Sequence, residues 1–100
     1  MVKATHVVNQ SGETIKIVLT DSAGRNTSHH LKHNNYVAIP TIDGSVSLSV
    51  FIKERCQWKD QCEVTYTAEA NTSFIVEKED GNMQIYRSVL GDIWKKNLGY

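Results

Sequence analysis

The stretch SVSLSVFI, residues 45–52, decides the fold. In an extended chain Val46, Leu48, Val50 and Ile52 fall on one side, and Ser45, Ser47 and Ser49 on the other. Strict alternation with a period of two marks a strand with one dry face and one wet face. A helix would scatter the same apolar residues around its circumference. TIKIVLTD repeats the pattern, with Ile15, Ile17 and Leu19 inward and Lys16 and Thr20 outward. CEVTYTAE places Val64, Tyr66 and Ala68 on one side and Thr65 and Thr67 on the other. SFIVEKED and MQIYRSVL flank Asp80-Gly81 and predict a terminal hairpin, because Asp-Gly accommodates the positive φ angles of a two-residue turn. Residues 3–9 and 36–41 are weaker strands, and Pro40 marks an edge or a strand end.

Seven or eight short strands and no long helix predict an all-β chain. One sheet of that size would leave an apolar face in water, whereas two sheets packed face to face, or a closed barrel, bury it. The expected fold is therefore a single antiparallel β-sandwich over residues 1–100, immunoglobulin-like in architecture, with a small β-barrel as the second choice. The cysteine–tryptophan–cysteine spacing of true immunoglobulin domains is absent.

Composition narrows the function. The chain has 100 residues, 11 Lys+Arg against 11 Asp+Glu, and no basic run longer than Lys95-Lys96. Nucleic-acid binding draws most of its affinity from phosphate contacts, so a chain with no basic excess is not expected to bind nucleic acid. No apolar run approaches the length of a membrane-spanning helix. The opening MVKATHVVNQ lacks the apolar core of a signal peptide. It is cytoplasmic if Met1 is the natural start, or secreted if Met1 replaces a removed leader. Catalytic signatures, phosphate loops and dinucleotide fingerprints are missing, so no enzyme and no cofactor are expected.

The binding candidates lie in ERCQWKDQC, residues 54–62. Trp58 stands between Gln57 and Lys59 and is expected to project from a loop tip, where an indole offers a large apolar face and one N–H donor. With Arg55, Lys59 and Asp60 it forms the expected ligand-binding set for a protein or glycan partner. Cys56 and Cys62 are a disulfide candidate at the mouth of a hairpin, worth about 2 kcal/mol if closed, or else two free thiols. The histidines of HHLKH (His29, His30 and His33) read as a solvated edge strand, and no metal site is assigned. Asn-X-Ser/Thr occurs at Asn9, Asn26 and Asn71, all placed at strand ends or turns where a glycan is tolerated.

The tail SVLGDIWKKNLGY changes character. Leu90, Ile93, Trp94 and Leu98 share a helical face, which predicts a short helical turn whose Trp94 plugs one end of the sandwich. The alternative function, lipid-headgroup binding, assigns membrane contact to Trp94, Lys95, Lys96 and Tyr100.

Overall fold

Alternating apolar residues form strands here because each strand lays one face into a shared seam. The computed structural model describes residues 3–70 and 72–88. Its strands are β1 (Lys3–Gln10), β2 (Ile15–Thr20), β3 (Asn26–Leu31), β4 (Tyr36–Thr41) and β5 (Ser45–Phe51). A two-residue pair follows, β6 (Lys53–Glu54) and β7 (Gln57–Trp58), then β8 (Val64–Glu69), β9 (Ser73–Glu79) and β10 (Asn82–Ser88). Two four-stranded sheets result. Sheet A has the order β10-β9-β1-β4 and sheet B the order β3-β2-β5-β8.

The predicted β-sandwich is present, with the two sheets packed together and not closed into a barrel among the described residues. Its seam holds Val7, Ile39, Phe74, Val76, Met83 and Ile85 from sheet A. Ile15, Ile17, Leu19, Leu31, Val46, Leu48 and Val50 face them from sheet B. The inward and outward sides of β2 and β5 are those expected from the sequence, and Val64, Tyr66 and Ala68 pack against the same core from β8. The Tyr66 and Phe74 rings meet edge to face at 5.8 Å, joining β8 to β9.

The immunoglobulin label is not supported by the strand order. β1 lies in the middle of sheet A, antiparallel to β4 and parallel to β9, and β2 belongs to the other sheet. In an immunoglobulin domain the first two strands are neighbours in one sheet. The Asp80-Gly81 hairpin forms with both residues at positive φ, 51° and 82°. Asp43-Gly44 does not make a hairpin, because it carries the chain from β4 in sheet A to β5 in sheet B. Gly44 sits at φ 121°, and a Cβ there would meet Ser22 Oγ at 2.7 Å, so this crossing needs glycine.

The β2–β3 connection is held by one carboxylate. Asp21 accepts hydrogen bonds from the backbone N–H groups of Ala23 and Arg25, each at 3.0 Å, and from Arg25 Nε at 3.1 Å. The Arg25 N–H bond is the largest cause of its lowered pKa. Burial acts in the opposite direction, and the Arg25 guanidinium and Ala23 N–H add to the lowering. A carboxyl with a lowered folded pKa adds stability above its unfolded pKa, about 3.9, and loses it as pH falls through the folded value. The expected result is an acid-dependent fall in melting temperature below roughly pH 4, part of which Asp21→Asn removes. Thermal melts of both proteins across that range provide the check. An identical pH profile for the two would show that another group is responsible.

Candidate functional site

Antiparallel order sends the β1–β2, β3–β4, β5–β8 and β9–β10 connections to one end of the sandwich. The β5–β8 connection, residues 52–63, is the largest of them. β5 and β8 pair as expected up to Val50 opposite Val64. Beyond that point the chain folds into a hairpin of its own, with Lys53 opposite Trp58 and Glu54 opposite Gln57. Lys59 N donates to Ile52 O at 3.0 Å and Glu63 N to Val50 O at 2.7 Å, so the excursion closes on its own base.

The tip of this hairpin is Arg55-Cys56, and both residues lie at positive φ, 53° and 67°. That is the left-handed pairing of a two-residue hairpin turn, normally made by Asn-Gly or Asp-Gly. A residue with a Cβ pays about 1 kcal/mol or more there. Arg55→Gly is therefore expected to raise the melting temperature by about 4 °C or more, since 1 kcal/mol corresponds to at least that in a domain of this size. Differential scanning calorimetry checks it, and an unchanged or lower melting temperature would mean that the Arg55 side chain itself stabilises the turn.

Trp58 does not project from the tip. It lies half-buried on the return strand, its ring 4.8 Å from the His30 ring with a 35° tilt. Lys53 Nζ lies 5.1 Å from its centroid and Lys16 Nζ 6.0 Å, while Lys16 also sits 4.7 Å from the Phe51 ring. Lys16 is the cross-strand partner of both His30 and Phe51 on the outer face of sheet B. The hairpin thus folds over that face, and two lysine ammonium groups approach the Trp58 ring. Attractions of this kind contribute about 0.5–1 kcal/mol each at exposed positions.

Lys59 spans the excursion from the other side. Its Nζ lies 2.9 Å from Glu63 Oε1 and 4.0 Å from Glu54 Oε2. The hydrogen bond that Lys59 donates to Glu63, then the Glu63 charge, raise the lysine pKa. Arg55, Trp58, Lys59 and Asp60, the four residues singled out in the sequence, line one open concavity of ≈ 590 Å³ together with Glu54 and Gln57. A second concavity of ≈ 310 Å³ at the other end is lined by Asp43, Gly44, Ser45, Glu69 and Ala70, with two carboxylates and no aromatic ring.

The disulfide candidate is not supported: Cys56 and Cys62 are both free and exposed. The inserted hairpin explains this. It carries Cys56 out to the turn, while Cys62 stays at the base with Sγ 3.1 Å from Thr65 Oγ1. His29 and His30 occupy opposite faces of β3, and His33 lies in the next loop, where Nδ1 accepts the Gly12 N–H at 3.0 Å. Among the described residues no three His, Cys, Asp or Glu side chains converge as metal ligands. Asn9 does not sit where a glycan is tolerated: it is 0% exposed and its Nδ2 is spent on two hydrogen bonds. Asn26 is exposed, and Asn71 lies outside the described residues. Trp94, Lys95, Lys96 and Tyr100 also lie outside them, as does the expected helical turn.

Lys16, Lys53 and Phe51 were not among the candidate residues of the sequence, and His30 was read there only as part of a solvated edge strand. The signal for Lys16 and Phe51 was present in the alternation, which turns both outward on β2 and β5. Comparison with known proteins gives no match to a family model, to a curated protein or to a solved structure.

Proposed function

We propose that this chain is a non-catalytic recognition module that binds a protein or glycan through the residue 52–63 excursion at one end of the sandwich. The observation that carries the reading is the concavity lined by Arg55, Trp58, Lys59 and Asp60, mounted on a turn held in a costly backbone conformation. Strained turns persist where the surrounding structure imposes them, and they cluster at binding sites. The rigid sheets fix the base of the excursion, the usual arrangement for loops that carry recognition. Trp58 supplies apolar area. Arg55 and Asp60 supply charge-assisted hydrogen bonds at the rim, and the tether to Glu63 and Glu54 limits the entropy Lys59 loses on binding.

A glycan array, with a parallel panel of immobilised proteins, probed with the wild-type chain and with Trp58→Ala tests the reading. The expected outcome is at least a tenfold loss of binding with a stability cost of about 1–2 kcal/mol, because Trp58 packs on the outer face of sheet B and is not in the core. Lys59→Ala leaves the His30 contact intact, so it should weaken binding with almost no change in melting temperature. Full binding by both variants would remove the reading.

A further inference from the structure

Two ammonium groups meet at one indole on the outer face of sheet B. Lys16 Nζ lies 6.0 Å and Lys53 Nζ 5.1 Å from the Trp58 centroid. Neither lysine makes a salt bridge or a side-chain hydrogen bond among the described residues. Lys59 and Lys78, by contrast, each hold a glutamate, at 2.9 and 2.6 Å. The chain has as many acidic as basic residues, so composition does not explain the missing carboxylate. Glu54 and Glu63, acids of the same excursion, are turned to Lys59 instead. The indole offsets part of the repulsion between the two like charges, and a bound anion would offset the rest.

Away from this cluster the face is rich in hydroxyls. His30, Lys16 and Phe51 form one cross-strand row. The next outward row carries Ser28, Ser49 and Thr65, and the one beyond it Ser47 and Thr67. Ser49 and Thr65 bond each other at 3.2 Å. Ser28, Ser47 and Thr67 make no side-chain hydrogen bond among the described residues, so their hydroxyls are open to solvent or ligand. From the Lys16 row to the Ser47 row is four residues, about 13 Å, which gives room for a short oligosaccharide.

We propose that the ligand of the residue 52–63 excursion is an acidic glycan, one that bears carboxylate or sulfate groups. One acid group sits between Lys16 and Lys53 beside Trp58, and the sugar chain runs down the outer face of sheet B over Ser49 and Ser47. The inference rests on the recognition reading above and names its ligand. The indole takes the C–H face of a sugar ring, and the ammonium groups take the acid. The serine and threonine hydroxyls exchange hydrogen bonds with sugar hydroxyls, directly or through water. Peptides are held by apolar grooves or by main-chain pairing at a sheet edge, and this face presents hydroxyls in their place.

Isothermal titration calorimetry of the full chain with polygalacturonate, heparin and neutral dextran oligosaccharides tests the proposal. The expected result is binding to at least one acidic series, about tenfold or more tighter than to dextran, that weakens as salt rises. The two acidic series separate carboxylate from sulfate. Lys16→Gln combined with Lys53→Gln should lower that affinity about tenfold or more, with the melting temperature reporting an intact sandwich. Lys53→Gln alone, on an exposed strand, should give a smaller loss and serves if the double variant does not fold. Ser47→Glu leaves the cluster untouched and sets a carboxylate under the chain, so it should weaken binding several-fold more than Ser47→Gln. No binding of either acidic series, equal affinity for dextran, or indifference to the lysine variants would overturn the proposal. Binding of a protein or a neutral glycan that is lost in Lys59→Ala and unchanged in the lysine double variant would overturn it alone and leave the recognition reading in place.

Discussion

Asn9→Asp is expected to lower the melting temperature at neutral pH by roughly 15 °C, from a loss of about 4 kcal/mol. Asn9 is 0% exposed, at the end of β1. Its Nδ2 donates to Glu13 O at 2.6 Å and Leu31 O at 2.8 Å, and its Oδ1 accepts Ser11 N at 3.0 Å and Ser11 Oγ at 2.6 Å. Its backbone accepts Asn34 N and donates to Asn35 O. One side chain therefore ties the β1–β2 loop to the end of β3, and the backbone adds the β3–β4 loop. Aspartate keeps the shape and removes both donors. Two enclosed carbonyls then face a carboxylate, at about 1–3 kcal/mol for each unmet group. The carboxyl pKa rises in the folded state, so the penalty is largest above that value. It shrinks as acid restores one O–H donor. Denaturant unfolding at neutral and at mildly acidic pH measures both parts. A loss under 1 kcal/mol at neutral pH would show that the loops hold together without Asn9.

Phe74→Ala is expected to cost about 3–5 kcal/mol, a large fraction of the roughly 5–15 kcal/mol that holds a domain folded. Phe74 is 0% exposed in β9 and leads the fully buried side chains in size. Its ring fills the seam where sheet A approaches β8, against the edge-to-face partner Tyr66. Truncation leaves a cavity that the two sheets cannot close without moving, since both are fixed by their ladders. Phe74→Leu nearly preserves volume and should cost less than about 1.5 kcal/mol. Urea denaturation of the three proteins gives the ranking. Equal midpoints for Phe74→Ala and Phe74→Leu would place the ring at a site that collapses freely.

The strands that the sequence reveals are those for which burial alone dictates the pattern. β2 and β5 present one dry and one wet face, so alternation reads them directly. β3 is harder, because an edge strand of Asn-Thr-Ser-His-His-Leu buries only Leu31 and leaves no apolar period. The β6–β7 hairpin was illegible for a different reason. Its turn uses Arg55-Cys56 in place of a residue suited to positive φ, so local chemistry points away from the conformation adopted. That mismatch also moved Trp58 from the tip to the return strand and parted Cys56 from Cys62. Sheet membership depends on contacts between distant segments. The two Asp-Gly turns look alike in sequence, yet one closes a hairpin and the other crosses between sheets. The four residues chosen for the candidate site do line one concavity, because polar and aromatic residues between two strong strands have nowhere to go but the surface. The consecutive apolar residues Val7-Val8 in β1 and Phe74-Ile75-Val76 in β9 were a readable sign of strands buried on both faces.

The parallel pairing of β1 with β9 bears on how the molecule comes into being. β1 finds its place between β4 and β9, and His6 meets Ser73 only after the intervening strands have been made. During synthesis the amino-terminal strand can join β4, but its other edge stays open until β9 leaves the ribosome. Sheet B, whose strands are all antiparallel and span Ile15–Glu69, is complete earlier. β9 has to pair beside β1, and until it does the second edge of β1 is open to other chains.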